Sequence, residues 1–241
     1  MGLRERMRQL VKPAIVKLCS RSPAMSRLCW RVDTREKRVA LTFDDGPHPE
    51  HTPPVLDILG EHALHATFFV LGAEIERHGE IFDRIVREGH HIGNHGYDHS
   101  IEDLPGQIVR TDEILSRLGV RTRFFRPPYG AITPKVLLWT MWHGYSTAMW
   151  SHDSRDSLRD QGKRSAGQAS DEVAPGDIVL MHDDNVTCHR ELRGFLEVFH
   201  QTTQRCCPET DPADSCGESP SELAPHIPDS RCTSSPYCGS S

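Results

Sequence analysis

The chain has 241 residues, enough for one large α/β domain or two small ones, and its composition is that of an ordinary globular protein. A formal net charge of −6 argues against a nucleic-acid binder, which would carry a basic surface. No apolar run approaches the roughly 18 residues of a membrane span. After Met1, charges and Pro13 interrupt the stretch where a secretory leader would need an apolar core of about 7 to 15 residues, so a cytoplasmic location is expected.

Near the N-terminus, Leu3, Met7, Leu10, Val11, Ala14, Ile15 and Leu18 fall at helical spacing, with Arg4, Arg6, Arg8, Lys12 and Lys17 between them. This pattern predicts a basic amphipathic helix in a lead-in spanning residues 1–37. Such a helix either caps the main domain or, through residues 1–21, contacts an anionic membrane surface.

The stretch that organises the chain is Arg38 to Pro49, RVALTFDDGPHP. Val39, Leu41 and Phe43 alternate with Ala40 and Thr42, then the run breaks at two carboxylates and Gly46-Pro47, which predicts a buried strand delivering Asp44 and Asp45 to a sheet edge. Two adjacent buried carboxylates cost several kcal/mol unless a cation, a metal or a proton neutralises them. The plain alternative is a turn in which Asp caps the next helix.

From there, short β-type runs alternate with amphipathic helical stretches, the rhythm of a mainly parallel sheet. Strands are expected at 39–43, 65–70, 89–94, 123–126, 145–150 and 177–182, and helices near 53–61, 79–88, 105–118, 134–143 and 188–200. The crossover at 156–174 offers little apolar surface beyond Leu158 and Val173 and is expected to be the least ordered connection. Asp44 and Asp45, His95, Arg126, Asp153 and His182 all fall at the ends of strand candidates. In a β/α barrel the carboxyl ends of the strands form the face that carries the site. Phe68, Phe69, Phe124 and Phe125 read as core, as do Trp139, Trp142 and Trp150.

Past His200 the rhythm stops. Residues 201–241 hold five of the eight cysteines with few sizeable apolar groups, so a disordered tail is expected there, leaving 38–200 as the main domain. Cys206, Cys207, Cys216, Cys232 and Cys238 form no repeated CxxC pair, which argues against a zinc module.

His95 and His99 are four residues apart in GHHIGNHGYDHS, a spacing that brings two imidazoles to one face of a turn; His91 and His95 share it, but His91 lies within the apolar run. With Asp45 the pair makes three protein ligands with room for water, the arrangement of a catalytic zinc site, although Fe2+ or Mn2+ would accept the same set. Asp44 beside it would act as base and pair with Arg126, and His182 would be the general acid, oriented by Asp153 or Asp156.

TFDDGP, the histidine pair in NHGYDH, RPPYG, DSRD and LMH occur in this order over residues 38–185 and resemble the five motifs of the polysaccharide deacetylases, the NodB-homology group or carbohydrate esterase family 4. The resemblance implies an α/β fold, a distorted, incomplete (β/α) barrel. It further implies removal of N-acetyl groups from amino sugars in chitin-like oligosaccharides or peptidoglycan. The implied cofactor is a divalent metal, Zn2+ first, with Co2+, Mn2+ or Fe2+ as substitutes; the implied partner is an amino-sugar oligo- or polysaccharide, acted on by a monomer.

Carried over by position, Asp44 resembles the base, Asp45, His95 and His99 the metal ligands, and Arg126 the partner of Asp44. Tyr129, with Pro127 beside it, resembles the oxyanion and substrate-binding element. Asp156 resembles the partner of His182, and His182 the acid. Three departures stand out. Gly96 replaces the usual Ser or Thr, which predicts a less rigid histidine loop. Ser157 replaces a Trp of an apolar wall. The tail stands where the last strand should follow. A non-catalytic carbohydrate-binding homologue, a deacylase of another linear amide, and a phosphoesterase or oxygenase using the same ligands are the rival readings.

Overall fold

The computed structural model describes residues 27–34, 38–156 and 173–205. The expected N-terminal helix, Leu158, Ser157 and most of the crossover, and the cysteine-rich segment from Cys206 onward lie outside these described residues.

The strands are β1 Leu28–Cys29, β2 Ala40–Asp44, β3 Thr67–Val70, β4 His91–Asn94, β5 Phe124–Phe125, β6 Ser146–Ala148, β7 His152–Asp153 and β8 Ile178–His182. The helices are α1 Thr52–Glu61, α2 Gly72–Arg77, α3 Gly79–Arg87, α4 Leu104–Arg117, α5 Pro134–Trp142 and α6 Cys188–Arg205, with a 3-10 turn at Pro128–Gly130. All the strands join one sheet, in the order β1-β6-β5-β4-β3-β2-β8-β7, and every neighbouring pair is parallel. The sheet curls into an incomplete barrel. Segment 146–153 nearly closes it, since β6 pairs with β1 and β5 while β7, just beyond, pairs with β8.

Local sequence accounts for most of these elements. Pro residues occupy the first turns of α1, α4 and α5, where a missing N–H costs nothing, and the Thr133 hydroxyl caps α5 by accepting from the Val136 N–H at 3.2 Å. Three elements escaped the sequence reading: β1, β7 and α2. The two strands are two residues long and exist only through their pairing with β6 and β8. The short helix α2 follows Leu71 without a break, where the apolar run reads as strand continuation. Helix α6 also runs to Arg205, five residues beyond the end expected for that helix.

Strand alternation divides the interior in two. Val39, Leu41 and Phe43 of β2 with its lead-in, Phe68 and Val70 of β3, Ile92 of β4, and Val179 and Met181 of β8 point outward and are buried under Val55, Leu56 and Leu59 of α1, Phe82 and Ile85 of α3, and Leu192, Phe195 and Leu196 of α6. Burying each such side chain contributes about 1.5 to 3 kcal/mol. Thr42, Asp44, Phe69 and His182 face the opposite way, into the barrel. Of the tryptophans, Trp139 and Trp150 pack as expected, whereas Trp142 is 89% exposed, because its turn of α5 points away from the sheet.

Gly93 lies on the inward face of β4, directly under the Phe69 ring. A Cβ built there would sit 2.3 and 2.4 Å from two ring carbons. Gly93→Ala is expected to cost about 1 to 3 kcal/mol through overpacking. Urea unfolding should show the loss, and an unchanged midpoint would contradict this packing.

Candidate active site

Asp45 follows the end of β2, and its Oδ1 lies 3.3 Å from the Nε2 of His95 and 3.3 Å from the Nε2 of His99. The donor atoms of these residues all fall within 4.8 Å of one another, the one such His/Cys/Asp/Glu grouping among the described residues. Asp45 Oδ1 is buried, yet no hydrogen-bond donor reaches it. His95 Nδ1 lies 2.7 Å from the Arg126 carbonyl oxygen, which only accepts; Nδ1 therefore carries a proton, and Nε2 is the ring nitrogen that faces Asp45. Two imidazole nitrogens and an unpartnered carboxylate oxygen on one point fit a divalent cation. Burial opposes ionisation of Asp45, but His95, His99 and His182 bring its pKa down to about 2.

Backbone strain marks the same place. Asp45, His99 and Tyr129 adopt positive φ values of 77°, 63° and 57°. A non-glycine residue held there costs on the order of 1 to 3 kcal/mol and persists only when its surroundings fix it.

Asp44 points into the barrel, where Arg126, 0% exposed, meets it: Nη1 donates to Asp44 Oδ1 at 2.7 Å and to Thr42 Oγ1 at 2.8 Å. Nε donates to the Ala148 carbonyl and Nη2 to the Met149 carbonyl, both at 3.1 Å, and the group lies 4.1 Å from the Phe69 ring centroid. His182 is the register partner of Asp44 across β2 and β8. Its Nδ1 lies 2.8 Å from Asp156 Oδ1, and its backbone N–H donates to Asp156 Oδ2 at 2.7 Å. Burial opposes the charged imidazole, but the Asp156 carboxylate outweighs it and carries the pKa up to about 10. Of the two acids that sequence left open, Asp156 thus faces His182, while Asp153 is exposed and accepts from the Arg155 N–H.

Pro127 is extended before the 3-10 turn and accepts from the Gly130 N–H at 3.0 Å. Tyr129 is 68% exposed, with its ring centroid 4.3 Å from that of His99, so it forms the rim of the site. Gly96 makes its own backbone contacts in this loop. Its φ of +88° suits glycine, its N–H donates to Asn94 Oδ1 at 2.8 Å, and its carbonyl accepts from Thr111 Oγ1 at 2.9 Å. Gln107 Oε1 further accepts from the Tyr97 N–H at 3.0 Å. Helix α4 therefore braces the histidine loop in place of the missing hydroxyl.

Sequence reading missed Thr42 as a second acceptor for Arg126, although its place two residues before Asp44 puts it on the same strand face. It also missed Asp183. That side chain is fully buried beside the DDG turn, and burial pushes its pKa up to about 7.

Residues 31–148 match the family described as polysaccharide deacetylase. That match includes the Asp45, His95 and His99 cluster and ends before Asp156 and His182. A peptidoglycan-N-acetylglucosamine deacetylase of Bacillus cereus is 40% identical over 60% of this chain and 55% of its own, so the chain spans about half the length of that relative. A chitooligosaccharide deacetylase of Azorhizobium caulinodans is 35% identical over 64% of this chain and 77% of its own. Among solved structures, a peptidoglycan N-acetylglucosamine deacetylase in complex with a naphthalenyl N-oxidanyl-benzamide superposes with a TM-score of 0.67 at 33% identity, over 75% of this chain and 88% of that one. The chain belongs to the polysaccharide deacetylase family, and its fold is the incomplete barrel of that group.

Arg126→Met leaves the Asp44 carboxylate buried and unpaired, so a stability loss of about 3 to 5 kcal/mol is expected in denaturant titration. Asp44→Asn in the same chain should return a large part of it. If the double variant is no more stable than Arg126→Met, the pair is not what holds the barrel interior.

Proposed function

We propose that this protein hydrolyses the N-acetyl group of an amino sugar in a chitin-like oligosaccharide or in peptidoglycan, with a divalent cation held by Asp45, His95 and His99. The convergence of two Nε2 atoms on the unpartnered Asp45 Oδ1 carries the reading. The names of the relatives support the substrate class. A bound cation supplies a Lewis acid and lowers the pKa of water from about 15.7 toward 7; Zn2+ suits the donor set best, and Co2+, Mn2+ or Fe2+ would also fit it.

The chain's own groups divide the remaining work. Arg126 holds the Asp44 side chain by hydrogen bond, and Asp44 removes a proton from the attacking water. A backbone N–H near Tyr129, beside Pro127, would hold the developing oxyanion. His182, kept protonated by Asp156, gives its proton to the nitrogen as the C–N bond breaks. Water and the acetamide thus become acetic acid and a free amine, with the proton taken by Asp44 balancing the one given by His182; the acid then releases its proton to solvent as acetate.

A purely carbohydrate-binding role would leave the Asp156–His182 pair without a task. The compartment follows the substrate, since a soluble oligosaccharide suits the cytoplasm and a wall polymer does not.

Acetate release from chitooligosaccharides and peptidoglycan, with and without chelator, tests the reading. Asp44→Asn should keep the metal and lose about 100-fold to 10,000-fold in turnover, whereas His95→Ala should lose both. Full turnover in Asp44→Asn would refute the assigned base.

The pH profile tests the acid. His182 works protonated, so activity falls as pH rises through its pKa. Because the Asp156 carboxylate raises that pKa, Asp156→Asn should move the basic limb toward lower pH by at least about one unit. A limb that stays put would remove Asp156 from this role.

A further inference from the structure

Asp183 has no place in the chemistry above, yet it is fully buried between the two strands that carry the site. Its backbone N–H donates to the Asp44 carbonyl at 3.1 Å, extending the β2–β8 ladder one step past Asp44 and His182. Its Oδ2 accepts from the Thr52 hydroxyl at 2.6 Å. Thr52 in turn closes the loop after the DDG turn, because its Oγ1 accepts from the His48 N–H at 2.7 Å and its own N–H donates to the His48 carbonyl at 3.1 Å. The other carboxylate oxygen, Oδ1, has no partner. Asp183 also fills the space in which position 46 would carry a side chain: a Cβ on Gly46 would sit 2.2 Å from Asp183 Oδ2 and 2.5 Å from Oδ1.

A buried acid with one orphaned oxygen is costly, and hydrophobic packing alone would favour an apolar residue there. What the carboxylate gains is a direct hold on a turn whose preceding residue, Asp45, has the strained φ of 77°. We propose that Asp183 and Thr52 form a clamp on the Asp45–Gly46–Pro47 turn, making Asp183 a positioning residue that sets where the Asp45 carboxylate meets His95 and His99. The clamp rests on the reading of those residues as a cation site. It acts through packing and one hydrogen bond, not through contact with the ion or the substrate.

The test is Zn2+ affinity of the full chain, measured by chelator competition with no substrate present. Asp183→Ala should weaken binding about 10-fold to 100-fold, the usual cost of losing a group that orients a ligand. Thr52→Val should weaken it similarly, while Thr52→Ser, which keeps the hydroxyl, should stay near wild type. Gly46→Ala should also weaken binding, because the new methyl displaces the carboxylate. In the Gly46→Ala, Asp183→Ala double variant that penalty should vanish, leaving it no worse than Asp183→Ala.

These outcomes separate the two readings. If the wild-type chain takes up no ion, the cation site itself fails. If wild type binds one ion and both Asp183→Ala and Thr52→Val stay within twofold of it, the clamp fails while the site stands. Should Asp183→Ala not fold, the Thr52→Val and Thr52→Ser pair decides: equal affinities overturn the clamp, and a selective loss in Thr52→Val supports it.

Discussion

A guanidinium inside a barrel is the constraint around which this molecule is built. Arg126 is fully buried and cannot shed its charge, so its hydrogen-bond donors must be met by acceptors at fixed positions. The carbonyls of Ala148 and Met149 meet it on one side, and Thr42 Oγ1 and Asp44 Oδ1 on the other. These acceptors come from β2 and from the end of β6, strands that are not neighbours in the sheet. The curl of the sheet is what brings them to a common centre, and the charge network in turn ties the two sides together.

The same network sorts two adjacent carboxylates into different roles. Asp44 and Asp45 are consecutive, and strand alternation would send them to opposite faces if the strand continued. Instead the backbone turns at Asp45 into a left-handed conformation, and both side chains remain on the site side. One meets a permanent cation, Arg126. The other meets the Nε2 atoms of His95 and His99. Two carboxylates this close are tolerated because each has its own partners.

Rigidity at the rim comes from second contacts rather than from the site residues themselves. Helix α4 holds the histidine loop through Gln107 and Thr111, Asp156 grips His182 by both ring and backbone, and Thr52 with Asp183 sits under the DDG turn. None of these supports lies in the same strand as the residue it holds. The strained backbone at Asp45, His99 and Tyr129 is therefore supported by the surrounding tertiary structure.

What the sequence by itself determined was whatever repeats or breaks locally. The alternation of Val39, Leu41 and Phe43 located β2 and the outward face of its core; the abrupt polar endings of the strands placed Asp44, Asp45, His95, Arg126 and His182 on one rim. Tertiary structure decided the rest, because it depends on partners far apart in the chain. The two-residue strands β1 and β7 exist only as pairings. The choice of Asp156 over Asp153 depends on which acid faces β8, and the solvation of Trp142 on which turn of α5 meets the sheet. Asp183 reads as one more acid after a histidine until the fold puts Gly46 and Thr52 against it. Periodicity is carried by neighbouring residues, whereas burial and pairing belong to contacts that form only when the sheet curls.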